Sequence, residues 1–513
     1  HYFKVINQLL DKKMTRIVLN PQMTFGQIDI TKIELDPKSR DDIPQILKGL
    51  QHIYSDVITR EKLFQLLQKE IAPKVSKNTG RPGMELWKLL VLGCLRVNLN
   101  LDYDKLHELA NKHLNIRQML GHSENTFGER YYYELQTLKD NIKLMTPELL
   151  DQVNQIVVES GYRLIKKKSG EPLHGRCDSF VVETNVHYPT DINLLRDAMH
   201  KVITLIARLC ESRNISDWRQ SAYNYRQIKQ FMRKAQNSKR SKSQKTQTEQ
   251  EGKLKQTHLE YINTSRQYLS KVEVTITKLT TLDLTMQEIA VVQTIRKFMF
   301  DGYRQIEQIH ARVIMGEVIS HDKKIFSLFK PYTEWISKGK AGVPVEFGLR
   351  VCIMEDQHQF ILHHMVMEKQ TDDQVAVAMV KETQKRFSRL SSCSFDKGFH
   401  SPENQKELST CLELVALARK GKLSKAATII ENDDKFRKIR RQHSAVESAI
   451  NALEVHGLDC CPDYGITNFK RYVALAIVGR NIQQIGVILR AKEKEITQKK
   501  RHRIDDKIQK LAA

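Results

Sequence analysis

Over 513 residues the chain carries 83 Lys and Arg against 60 Asp and Glu, a formal charge of +23, which suits a polyanion partner and exceeds what a merely soluble surface needs. At roughly 100–200 residues per domain the length predicts about three domains, and the apolar runs, such as 86–95 and 473–478, fall far short of the roughly 18 residues that span a bilayer. The eight cysteines include no CxxC or CxxxC spacing, which argues against a tetrahedral zinc pair or a disulfide framework and for a reducing compartment.

In chain order, residues 1–165 read as a mainly helical region suited to DNA binding or dimerisation. Alternation over 27–34 predicts a small strand, and helices are expected at 43–54, 60–70, 84–98, 102–112 and 147–160. Thr146 and Pro147 mark the last start as cap and first-turn proline. The stretch 102–120 predicts two short helices joined near His113-Leu114, the pattern of a helix-turn-helix reader or of an ordinary helical hairpin. Tyr131-Tyr132-Tyr133 reads as helical packing rather than as a recombinase nucleophile.

A strand over 173–185 follows, and Thr190 or Asp191 is placed to cap the next helix. Ile192, Leu195, Met199, Val202, Ile206 and Leu209 recur at spacings of three and four, one apolar stripe. Between 219 and 248 there are nine basic residues and no acid; such a run repels itself and favours phosphate, with Arg226, Lys229, Arg233 and Lys234 as candidate DNA contacts. Its polar tail, 236–252, reads as a mobile loop. Helical periodicity resumes to about 312. Trp335 beside Lys338 and Lys340 could stack on or grip a DNA end, the bland alternative being a buried Trp beside a solvated turn.

Strands are then expected at 345–355 and 359–367, a hairpin about 356–358, followed by a helix at 372–386, a strand at 390–395, a helix from Ser401-Pro402, a strand at 414–418 and a long helix around Glu447. By analogy this is the element order of an RNase H-like α/β core. The core would occupy 166–200 and 336–490, interrupted by a helical, partly basic insertion at 201–335 and followed by a basic tail at 491–513.

Asp178, Asp396 and Glu447 would lie at two strand ends and on one helix. Three separated carboxylates converging this way suit Mg²⁺ or Mn²⁺, hard ions that take oxygen ligands, and two such ions serve phosphodiester chemistry. Rival readings exist for each residue: Asp178 paired with Arg176, Asp396 in an ordinary Asp-Lys-Gly turn, and Glu447 on a solvated face with Arg440, His443, Asn451 and Glu454. On the metal reading, Arg440 and His443 would hold the DNA backbone beside Glu447. His363-His364 point to opposite faces of a strand and make poor joint ligands.

Several short runs together resemble the DDE transposases of bacterial insertion sequences, most closely the group labelled ISNCY. They are Gly80-Arg81-Pro82-Gly83-Met84, Leu101-Asp102-Tyr103-Asp104, Glu183-Thr184-Asn185 after Asp178, Tyr188-Pro189-Thr190-Asp191 and Thr333-Glu334-Trp335-Ile336 with Lys338-Gly339-Lys340. Asp396-Lys397-Gly398-Phe399, His443-Ser444-Ala445-Val446-Glu447 and Arg471-Tyr472-Val473-Ala474-Leu475-Ala476 continue the likeness to about residue 490. The resemblance implies an RNase H-like catalytic core preceded by a helical DNA-binding region, Mg²⁺ dependence, and Asp178, Asp396 and Glu447 as the metal triad. It also implies terminal inverted repeats of double-stranded DNA as substrate; two such ends are most simply met by two protomers, so a homodimer or higher homo-oligomer is expected, in a cytoplasmic, nucleoid-associated location. Related transposases often carry Tyr, Arg and Lys around the last glutamate, where this chain has Arg440, His443 and Glu454. Two alternatives stand beside this expectation: a catalytically silent DNA-binding descendant, and a structure-selective RNase H-like nuclease.

Overall fold

The computed structural model describes residues 17–19, 22–23, 26–71, 83–122, 131–165, 170–240, 247–337, 345–421 and 424–512. The protein is mixed α/β, mostly helical, and divides into two compact units, 1–184 with 348–513, and 185–347.

The first unit begins with helices α1 (Asp42–Ser55), α2 (Val57–Ile71), α3 (Leu86–Asn98), α4 (Tyr103–Lys112), α5 (Leu114–Met119), α6 (Leu135–Ile142) and α7 (Pro147–Leu164). Local chemistry sets several starts: the Asp41 carboxylate accepts the Ile43 N–H at 2.8 Å, and Thr146 Oγ1 accepts the Leu149 N–H at 3.3 Å. Because α3 is apolar on nearly every side, it is buried along its length.

A single mixed sheet carries the strands β1 (Leu173–Thr184), β2 (Glu334–Ser337), β3 (Val345–Glu355), β4 (Ile361–Met367), β5 (Leu390–Phe395), β6 (Leu414–Leu417) and β7 (Cys460–Cys461). Its order is β2-β3-β1-β5-β6, with β4 beside β3 and β7 beside β1. β1 runs antiparallel to β3 from Arg176 opposite Glu355 to Glu183 opposite Gly348, and parallel to β5. β5 pairs only with the first half of β1 and β7 rejoins it at Glu183, so β1 has no strand neighbour on that side from 178 to 182 among the described residues.

Helices α12 (Asp372–Arg386) and α13 (Pro402–Cys411) connect the later strands, and α14 (Lys425–Asn432), α15 (Asp434–His443) and α16 (Ala445–Leu453) follow β6. The last helix, α17 (Ile466–Ala512), packs against α1, α3 and α7. Its stretch 466–501 is long and apolar enough to cross a membrane, and 78 % of its most apolar window is buried inside the protein. Two glycines permit the α1–α17 crossing: a methyl group on Gly49 would lie 2.0 Å from the Ile482 carbonyl oxygen, and one on Gly486 would lie 2.0 Å from that of Gln45.

In the second unit α8 (Asp191–Ser212), α9 (Ser221–Arg240), α10 (Gln247–Thr280) and α11 (Met286–Ile309) pack around one core. All six residues of the α8 stripe are buried, against Ile228 and Met232 of α9, Leu269 and Ile276 of α10, and Ile295 and Phe298 of α11. Thr190 caps α8 by accepting the Asn193 N–H at 3.2 Å, and a π turn at His310–Ile314 ends α11.

Several expectations are corrected. The alternation at 27–34 forms no strand; the Asp29 carboxylate accepts both the backbone N–H and the hydroxyl of Thr31 at 2.9 Å and closes the 3-10 turn Ile30–Lys32 instead. The expected loop at 236–252 is helical on both described sides, ending α9 and beginning α10, while 241–246 lies outside the described residues. The long helix around Glu447 is three short ones, α14, α15 and α16. Helix α5 has only six residues, of which Ile116, Arg117, Gln118 and Met119 are buried while Leu114 is exposed, so 102–120 forms the two short helices expected, with the turn at His113. Tyr131-Tyr132-Tyr133 packs without being helical: Tyr133 is buried with its hydroxyl 2.7 Å from His122 Nε2, and Tyr131 stacks on the same ring.

Candidate active site

The final register pair between β1 and β5 is Cys177 with Phe395. The next residue in each segment is a carboxylate, Asp178 within β1 and Asp396 just past the end of β5. Parallel neighbours lie about 4.8 Å apart, so the backbone alone brings these two acids to one level of the sheet. That level is the carboxyl end of β5, where open α/β sheets bind their ligands.

Beyond β5 the chain turns at once. Asp396 caps the 3-10 turn Lys397–Phe399, its carboxylate facing the Gly398 N–H at 3.4 Å. Asp372, the first residue of α12, reaches the same place. Its carboxylate accepts the Ser179 hydroxyl at 2.6 Å, and a methyl group on Gly398 would lie 2.9 Å from it. Glu447 arrives on the third residue of α16, a helix fixed against β1 through buried Val446, Ala449 and Leu453.

Burial raises the Asp178 carboxyl to about 7; the Ser179 N–H that it accepts at 2.7 Å opposes the shift, and the negative charges of Asp396, Asp372 and Glu447 add to it. Arg176 does not neutralise Asp178. Its guanidinium is taken by Glu355, 3.4 Å away, and by the carbonyls of Asp356 and Gln442, so the pairing that competed with a ligand role for Asp178 is absent.

His443 ends α15, and its Nδ1 lies 3.0 Å from the Ser394 hydroxyl while Nε2 is buried without a partner. Burial lowers its pKa against the opposing pull of Asp396 and Glu447, which keeps the ring neutral beside them. Arg440 is exposed and pairs with Glu431 at 3.5 Å. With Arg437 and Arg441 it lines a shallow cleft on α15. The break at Ser444 places Arg440 and His443 on a different helix from Glu447, so the expected continuous polar stripe is interrupted.

As they stand, no three His, Cys, Asp or Glu side chains among the described residues are gathered closely enough to hold a metal ion. In kind the donors fit: all four acids offer the hard oxygen ligands that Mg²⁺ and Mn²⁺ prefer. Their mutual repulsion at Asp178 is what a bound cation relieves. Asp396 and Glu447 are exposed.

The other expected contacts lie in the second unit. Arg226, Arg233 and Lys234 are exposed on α9 and Lys229 is half-buried. Trp335 sits on β2, 38 % exposed, with its ring centre 4.9 Å from that of His321; Lys338 and Lys340 lie outside the described residues. Asp372 was not anticipated, because Thr371-Asp372-Asp373 reads as an ordinary acidic helix start.

Comparison of the chain with protein-family models, with curated proteins and with solved structures gives no match.

Proposed function

We propose that the chain is a DDE-type DNA transposase of an insertion sequence, with Asp178, Asp396 and Glu447 as its metal-binding catalytic triad. The observation that carries this is the placement of Asp178, on β1, level with Asp396, the residue just past the end of its parallel neighbour β5, with α16, the helix of Glu447, packed against β1. Support for an RNase H-like core comes from the chain order β1, β3, β4, α12, β5, α13, β6, in which the first three strands are antiparallel neighbours and the last two run parallel to β1.

On this reading Asp178, Asp396 and Glu447 hold Mg²⁺, or Mn²⁺ in its place, as a two-ion site that supplies positive charge to the attacking and leaving oxygens of a phosphodiester. Arg437, Arg440 and Arg441 offer guanidinium forks to the DNA backbone, and the α9 cations offer a second phosphate track. Neutral His443 can donate from Nε2 to a strand oxygen or accept a proton there. The substrates are the inverted repeats of double-stranded transposon ends and a target DNA; water hydrolyses a phosphodiester at the end to leave a 3′ hydroxyl and a 5′ phosphate, and that hydroxyl then attacks a target phosphodiester, forming the new ester as the target's own 3′ oxygen leaves as a hydroxyl. Two ends are most simply met by two protomers, hence at least a homodimer, in the bacterial cytoplasm.

Replacing Asp178, Asp396 or Glu447 by Ala is expected to abolish Mg²⁺-dependent cleavage of labelled end DNA while gel-shift affinity stays within about twofold, because carboxylates bind the ion and not the phosphates. Cleavage retained by two of the three variants sinks the assignment. One observation favours a second reading, a silent DNA-binding descendant: the acids are not gathered into a ready ligand set. Cleavage by the parent protein in Mg²⁺ and its loss in EDTA decide between them.

A further inference from the structure

An open cleft of about 1040 Å³ lies within the second unit, between the start of α8, the end of α11 and the segment 317–326. Gln305 lines it. This side chain is wholly buried, yet neither its amide oxygen nor its amide nitrogen has a hydrogen-bond partner. Buried amides are almost always paired, so an orphan of this kind marks a partner that is missing. Neighbouring amides are satisfied: Gln236 Nε2 donates to Asn193 Oδ1 at 2.8 Å, and Gln308 Nε2 donates to the Lys323 carbonyl at 2.7 Å. The π turn after α11 brings Arg312 to the cleft, where Asp191 holds it at 2.7 and 3.0 Å. Its charge is therefore spent within the wall.

Two further features narrow the ligand. Phe326 lines the cleft and continues into a chain of rings, 6.1 Å to Phe347, which lies 5.4 Å from exposed Tyr188. Lys324, on the same lip, is exposed. A glutamine amide presents one donor and one acceptor side by side in a plane, which matches the edge of a nucleobase, adenine above all. Aromatic rings take the face of the same base by stacking, and a lysine takes its phosphate.

We propose that this cleft takes up a single unpaired nucleotide, the buried Gln305 side chain turning into the cleft so that its unpaired amide meets the base edge, with the phosphate toward Lys324. A base inside a duplex is stacked and cannot enter such a recess; an unpaired one can. The nucleotide comes either from a DNA strand end, a source that rests on the transposase reading, or from free solution, which does not.

The test uses the full chain. Anisotropy is measured with a labelled duplex that is blunt or carries one unpaired adenosine at its end, and calorimetry with dAMP. The unpaired adenosine is expected to tighten binding about tenfold or more, the effect of one bidentate amide–base pair. Gln305→Leu is expected to erase that gain, leave blunt-duplex affinity as in the parent, and hold or raise the Tm because it removes the orphaned amide. Lys324→Ala, an exposed change, is expected to weaken the same gain severalfold without touching the fold. Binding of dAMP that Gln305→Leu removes supports the cleft with free nucleotide as its source; a gain seen only with the DNA supports it with a strand end. A parent that prefers neither ligand, or a folded Gln305→Leu that binds both as the parent does, overturns the proposal. Should dAMP bind while duplex DNA is neither bound nor cleaved, the transposase reading fails and the nucleotide cleft stands.

Discussion

His363 is a buried histidine on β4 whose two ring nitrogens both lack hydrogen-bond partners. Burial lowers its pKa from 6.5 to about 3, with the nearby His364 and Arg386 adding to the effect and Asp151 opposing it. The folded protein therefore holds this ring neutral, whereas the unfolded chain takes up a proton below about pH 6.5. Stability from this group is complete above pH 6.5 and is lost as pH falls from 6.5 toward 3, by up to several kcal/mol as an order of magnitude. His363→Leu is expected to lose markedly less unfolding free energy than the parent between pH 7 and pH 5 in urea titrations, with equal or greater stability at pH 7. An equal loss in both proteins refutes the assignment. At this same scale the acids of the site differ in legibility. Asp178 stands out in the sequence because it precedes the apolar run Phe180-Val181-Val182, whereas Asp396 follows a serine-rich strand and reads by itself as an ordinary Asp-Lys-Gly turn, singled out only by the resemblance. Asp372 is hidden, since an acid at a helix start already has a dipole to explain it; only the tertiary contact with Ser179 gives it another meaning.

Between elements, the α1–α17 crossing depends on two glycines whose added methyl groups would meet carbonyl oxygens at 2.0 Å. Backbone cannot move aside as a flexible side-chain end can. Gly49→Ala and Gly486→Ala are therefore expected to destabilise at the upper end of the ~1–3 kcal/mol overpacking range, despite the roughly 1 kcal/mol that Ala gains over Gly in a helix. Gly252→Ala, in α10 with nothing within 4 Å of the new methyl group, should show that gain alone. Thermal melts of the three variants check this, and equal shifts in all three would remove the close-approach account. Helix α8 is legible because one buried face dictates its spacing of three and four, whereas β1, buried on both faces, shows no alternation and is legible only as an apolar run. The break within the helix around Glu447 is not: Ser444 keeps helical angles, φ −56° and ψ −19°, so no Gly or Pro announces that α15 and α16 part there. Nor does alternation alone reveal the turn at Asp29, where a side-chain bond to the backbone outcompetes the strand.

For the whole molecule, an excess of 23 positive charges is a constraint that folding does not remove. In α9 the apolar residues Ile228, Met232 and Ala235 face the core while Arg226, Arg233 and Lys234 face outward, with Lys229 at the margin. Packing accounts for the first set and says nothing about the second. If the outward set tracks DNA phosphates, each contact adds about 0.9 to the slope of log K against log salt. Reversing Arg226, Lys229, Arg233 and Lys234 to Glu should then weaken end binding at moderate salt and flatten that slope by up to about 3.6, the product of four contacts and this coefficient. Circular dichroism should stay unchanged, because the buried face is untouched. A solvated face with no DNA role gives parallel lines for variant and parent across about 50–300 mM salt, the range over which screening changes most. Parallel lines would assign α9 to packing within the second unit and leave the arginine cleft of α15 as the phosphate contact that the catalytic reading requires.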